Sequence, residues 1–147
     1  MATKNAHKIL VVDDEKGIRE AIYALLTMEG YSVVTAEDGI AALKKLQNDS
    51  YDLLITDLAM PNMGGAELLD WVCQSNIKMT ALVITGSPII NMEKDLKDKG
   101  AFACIPKPFQ LKHLSFMVQK GLKIDELAKS QNWDGKVKSS RCKARKS

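Results

Sequence analysis

A chain of 147 residues is long enough for one domain with a core of its own. Its 46% hydrophobic and 27% charged residues are ordinary for a globular protein, and no apolar run is long enough to span a bilayer. The net charge of +3 is uneven: from Lys129 onward seven basic residues face Asp134 alone, a local +6 that leaves −3 on residues 1–128.

The polar start, Met1 to Lys8, runs directly into strand-like sequence and does not read as a signal peptide. The apolar segments that follow are of two kinds, in alternation. Ile9–Val12, Tyr31–Thr35, Leu53–Thr56, Ala81–Ile84 and Phe102–Ile105 are short and aliphatic, the pattern of strands buried on both faces of a parallel sheet. After the first strand, Ile18, Ile22, Leu25 and Leu26 form a helical stripe ended by Gly30, where a left-handed cap is wanted. Ala41, Ala42 and Leu46 form a second stripe, and Leu68, Leu69 and Val72 a third after Gly64-Gly65. A fourth carries Ile89, Met92, Glu93 and Leu96, opened by Ser87-Pro88 and stopped near Gly100. The fifth begins after Pro108 with Leu111, Leu114, Met117, Val118 and Leu122.

Leu114, Met117, Gly121, Ile124 and Ala128 have the spacing of a weak coiled-coil seam, which leaves a homodimer open, but the favoured reading is a helix that frays after Gly121. Beyond Ser130 periodicity ends. Residues 1–128 are expected to form the domain and 129–147 a solvated, disordered basic tail. Cys73, Cys104 and Cys142 fit neither a zinc pattern nor a redox pair. The first and second read as small buried hydrophobes, and a reducing cytoplasm is expected.

Five strands each followed by a helix imply right-handed crossovers and a doubly wound α/β domain, whose ligands bind beyond the carboxyl ends of the strands. The unusual polar residues fall at those ends. The first strand closes in Asp13-Asp14-Glu15, the third in Asp57, the fourth in Thr85 and the fifth runs through Pro106 to Lys107-Pro108. Taken singly, Asp14 is as well read as a helix cap, Lys107 as a surface charge and Thr85 as a turn hydroxyl. Together they form a crevice in which carboxylates about 4 Å apart repel by roughly 4 kcal/mol at an effective dielectric near 20. Lys107 supplies one counter-charge. The hard-oxygen donors, with no His or Cys beside them, favour Mg²⁺ or Mn²⁺ for the rest.

These residues resemble the receiver domain of two-component response regulators over about residues 6–128. The marks are Val11-Val12-Asp13-Asp14-Glu15, Ile55 to Gly65 around Asp57, Ile84-Thr85-Gly86 and Pro106-Lys107-Pro108-Phe109. The resemblance implies a flavodoxin-like five-stranded sheet of order 2-1-3-4-5 with helices on both faces. It implies that Asp57 takes a phosphoryl group from a phosphohistidine on a sensor histidine kinase or phosphotransfer protein. Asp13, Asp14, Asp57 and the Ala59 carbonyl would hold Mg²⁺, while Thr85 and Lys107 would contact the phosphoryl group beside a cis Lys107–Pro108 bond. Such a domain is no turnover enzyme; it catalyses only its own phosphorylation and dephosphorylation, and its product is a conformation.

Two positions depart from the family pattern. Cys104 stands where a switching Tyr or Phe is usual; Phe102, two residues earlier and so on the same strand face, is a weak candidate to replace it, a full pleat away. Ala59 offers no side chain to position a water, so self-hydrolysis of the phosphoaspartate is expected to be unassisted. A haloacid-dehalogenase-type phosphatase is disfavoured because Ala59 occupies the place of its general acid. The basic tail could hold nucleic acid by charge, but with Trp133 as its one aromatic it reads better as a solvated tail or linker. With no room for an output domain after residue 130, signalling to a downstream protein is expected through helix four, strand five and helix five.

Overall fold

The computed structural model describes residues 7–86 and 93–130. Five strands, β1 (Lys8–Val12), β2 (Ser32–Ala36), β3 (Leu53–Asp57), β4 (Thr80–Thr85) and β5 (Ala101–Pro106), alternate with five helices. The helices are α1 (Lys16–Met28), α2 (Gly39–Asn48), α3 (Gly65–Gln74), α4 (Glu93–Asp98) and α5 (Leu111–Ser130). All strand pairs are parallel and the order is β2-β1-β3-β4-β5, as expected.

The near-continuous apolar strands are explained by two separate cores. Ile9, Val11, Leu53, Ile55, Leu82 and Ile84 point to one face of the sheet, where α1 brings Ile22 and Leu26 and α5 brings Leu114, Val118 and Leu122. Leu10, Val12, Leu54, Ala81 and Val83 point to the other, under Ala42 and Leu46 of α2, Leu68, Leu69 and Val72 of α3, and Leu96 of α4. Truncating any one fully buried leucine to alanine costs about 2–5 kcal/mol, so both faces are needed. Gly30 takes the left-handed cap position after α1, with φ of 97°.

Three expectations are corrected. First, α5 does not fray after Gly121; it continues to Ser130. A Cβ at Gly121 would lie 3.1 Å from Leu53, 3.5 Å from Thr80 and 3.6 Å from Phe102. The glycine is therefore a close-packing position against the sheet, and that contact outweighs its poor helix propensity. Second, Phe102 and Cys104 do not share a strand face. The β4–β5 register passes from Ala81↔Ala101 to Leu82↔Ala103, so Phe102 is an extra residue in a β-bulge. The bulge turns Phe102 toward the α1/α5 core, whereas Cys104 packs against the α2/α3/α4 core. Third, Asp14 is not the cap of α1: that position is Glu15.

Cys73 is buried and Cys104 half-buried. The expected opening of the fourth helix (Ser87, Pro88, Ile89 and Met92), the residue 131–147 segment with Trp133 and Cys142, and residues 1–6 lie outside the described residues.

Candidate functional site

Strand order reverses between β1 and β3, and the polar residues gather beyond that point. The register Val12↔Thr56 sets Asp13 beside Asp57, while Thr85↔Pro106 sets Lys107 just past the end of β4. The Lys107 N–H donates to the Thr85 carbonyl at 2.8 Å, and the Lys107–Pro108 peptide is cis. Asp13 is fully buried, Asp57 and Thr85 nearly so, and Asp14 and Ala59 are exposed at the rim.

Carboxylate oxygens of Asp13, Asp14 and Asp57 lie within 4.8 Å of one another. Lys107 Nζ reaches Asp57 Oδ2 at 3.0 Å, Asp13 Oδ2 at 3.1 Å and Glu15 Oε1 at 2.8 Å. Asp13 Oδ2 is paired with the ammonium by charge but accepts no well-aligned hydrogen bond among the described residues. Burial pushes the Asp13 carboxyl above its ordinary value, against the opposing Glu15 N–H and Lys107. Burial alone would lower the Lys107 ammonium; its bonds to Glu15 and Asp57 and its charge contact with Asp13 outweigh that and hold it above the usual lysine range. One ammonium against three clustered carboxylates leaves the pocket short of positive charge. The unsatisfied buried oxygen and the all-oxygen donor set fit a hard divalent cation such as Mg²⁺.

The loops that hold these groups are themselves pinned. The Glu15 N–H donates to Asp13 Oδ1 at 2.8 Å, an Asx turn that leads into α1, and Arg19 Nη1 donates to the Asp13 carbonyl at 2.6 Å. After β3, the chain turns through Asn62 in the left-handed region, φ 69°. The Asn62 amide donates to Asp38 Oδ2 at 2.9 Å, while Asp38 Oδ1 caps α2 by accepting from the Ala41 N–H at 2.8 Å. Gly65 lies so close to Asp57 that a Cβ there would fall 2.3 Å from the Asp57 carbonyl oxygen.

Thus Asp13, Asp14, Asp57 and Lys107 lie together and Thr85 ends the neighbouring strand. Glu15, Arg19, Asn62 and Gly65 were not anticipated as contributors. Glu15 alone had a signal, its place beside the acidic pair; the others depend on contacts between segments distant in sequence. Next to Lys107, a cavity of about 490 Å³ opens between α1 and the β5–α5 loop, lined by Ile18, Ala21, Pro108, Phe109 and Leu111.

The sequence profile of the response regulator receiver domain matches residues 9–119. The chain belongs to that family. As a receiver domain of the two-component type it is 36% identical over 107 residues to the response regulator MprA of Mycobacterium avium (strain 104), covering 73% of this chain and 47% of MprA. The chain spans about half the length of the curated relatives it matches. Among solved structures, Vibrio cholerae chemotaxis protein CheY4 has 34% identity and a TM-score of 0.74, over 79% of this receiver and 98% of CheY4. A CheY-like receiver domain protein from Methanospirillum hungatei JF-1 has 29% identity and a TM-score of 0.79, over 83% and 98% of the two chains. Among the described residues no helix is long and apolar enough to cross a membrane.

Proposed function

We propose that Asp57 accepts a phosphoryl group from a phosphohistidine on a sensor histidine kinase or phosphotransfer protein, and that the resulting phosphoaspartate switches the surface of α4, β5 and α5 toward a downstream protein. The observation that carries this reading is the convergence of a nearly buried Asp57 with Lys107 at 3.0 Å and with the Asp13 and Asp14 carboxylates. A Asp57 carboxylate oxygen attacks phosphorus in line, the O–P bond forms as the P–N bond breaks, and the imidazole leaves. Asp13, Asp14, Asp57 and the Ala59 carbonyl would hold Mg²⁺. When bound, it neutralises charge on the phosphoryl oxygens. Lys107 and the Thr85 hydroxyl would take the remaining oxygens, and Thr85 would move toward them. The apolar groove beside Lys107 offers the donor protein a seat within reach of Asp57.

Because the bulge removes Phe102 from the Cys104 face, coupling from Thr85 to β5 would run without an aromatic switch at either position. The cytoplasm, where histidine kinases keep their phosphohistidine, is the compartment this reading requires. Electrostatic contact of the basic residues after α5 with nucleic acid is the lesser reading.

Incubation with acetyl phosphate and Mg²⁺, followed by intact-mass measurement, tests the proposal. One phosphoryl mass on the wild type and none on Asp57→Asn is expected. An equal gain in both, or none in either, would sink it.

A further inference from the structure

Lys107 does not stand free for a phosphoryl group. Its ammonium has three N–H donors, and three carboxylates lie around it, at 2.8 Å for Glu15, 3.0 Å for Asp57 and 3.1 Å for Asp13. Two of these are built into the walls, with Asp13 side chain 0% and Asp57 7% exposed. Glu15 differs: its side chain is 58% exposed. It also holds the N-cap position of α1, yet its carboxylate makes no capping bond and turns to Lys107 instead. Its backbone is fixed by the bond from its N–H to Asp13, so only the side chain is at liberty.

We propose that Glu15 is a positioning residue that tethers Lys107 in the resting state and sets how readily the ammonium passes to the phosphoryl group. This rests on the reading of Asp57 as the acceptor. The donor that Lys107 gives Asp57 Oδ2 passes to a phosphoryl oxygen on Asp57, and following that oxygen strains the ammonium's contacts with Asp13 and Glu15. Losing the charge contact at 3.1 Å would strand the buried Asp13 carboxylate, whereas a released Glu15 carboxylate is taken up by water. Glu15 is therefore the partner that yields as the ammonium moves. Its negative charge also lies on the same ammonium that the incoming anion must use, so it opposes the anion directly. The exchange breaks no covalent bond and moves no proton. The Glu15 end of this pair is exposed to water, so its effect falls on occupancy of the site and not on folding.

The test compares wild type with Glu15→Gln, which keeps the shape and removes the charge, at saturating Mg²⁺ and with beryllofluoride as the phosphoryl mimic. Binding is followed by shifts in the amide NMR spectrum and folding by the thermal midpoint. At low salt, Glu15→Gln is expected to lower the half-saturating beryllofluoride concentration roughly fivefold, the equivalent of about 1 kcal/mol. Near 1 M salt, where the Debye length is about 3 Å, the two proteins should converge, while the thermal midpoint is unchanged throughout. A purely structural role would not produce that salt dependence. Equal half-saturation at low salt, or weaker binding by Glu15→Gln, overturns the tether while Asp57 can still gain its phosphoryl mass. No beryllofluoride response and no mass gain in the wild type would remove the acceptor reading and the tether with it.

Discussion

Gly65 shows how one absent side chain holds the nucleophile in place. Its N–H donates to the Leu58 carbonyl at 2.9 Å, so the chain leaving β3 folds back onto itself within one turn of Asp57. A methyl group there would fall 2.3 Å from the Asp57 carbonyl oxygen and 3.0 Å from the Leu58 Cα, both backbone atoms that no rotamer change can move. Gly65→Ala is expected to destabilise the fold by about 1–3 kcal/mol, the usual cost of overpacking. It should also slow phosphorylation, because the shift that relieves the clash displaces Asp57. Urea unfolding and the rate of mass gain with acetyl phosphate read the two effects separately. A variant as stable and as fast as wild type would show that the close approach carries no constraint. Gly64-Gly65 was visible in the sequence as the start of a helix; its proximity to the aspartate was not, since nothing in the pattern records how tightly a loop folds back.

Among the elements, the β3–α3 loop and α2 form a second unit that steadies the pocket from the side. Asp38 joins them, capping α2 through Ala41 and accepting from Asn62 across the gap. The Ala41 N–H first, and the Asn62 amide second, hold the Asp38 carboxyl below its ordinary value. A carboxyl lowered in the folded state contributes stability that is present above the unfolded value near 3.8 and is lost as pH falls through the folded one. Wild type should therefore lose thermal stability on acidification below about pH 4, relative to Asp38→Ala, whose midpoint is lower at neutral pH and falls less. Parallel scans of the two proteins between pH 3 and pH 7 would refute this by running a constant distance apart. At the same scale, α5 and β5 show where local rules gave way. Gly121 marks the end of a helix by propensity, and Phe102 shares a face with Cys104 by alternation. Packing against Leu53, Thr80 and Phe102 reverses the first, and a single bulged residue reverses the second.

Across the molecule, the fold concentrates a net cost in one place and leaves it to a ligand to relieve. Asp13 is fully buried with one oxygen lacking an aligned partner, and burial pushes its carboxyl up. A cation that binds only the folded pocket stabilises the whole domain by about 2.7 kcal/mol at a hundredfold excess over its dissociation constant. Mg²⁺ at that excess should raise the thermal midpoint by several degrees, and Asp13→Asn should lose most of the gain while remaining folded. A midpoint indifferent to Mg²⁺ in both proteins would count against a cation site. The sequence by itself determined the alternation of strands and helices, the two-sided burial of the sheet and the strand-end positions of Asp13, Asp14, Asp57, Thr85 and Lys107. Periodicity and punctuation are local, and the order of the sheet came from the resemblance to the receiver family and not from the pattern itself. Only the tertiary structure decided which groups Lys107 touches, that Glu15 is one of them, and that Phe102 faces away from Cys104. Those depend on register, on a bulge and on distances between segments far apart in the chain, and no local pattern encodes them.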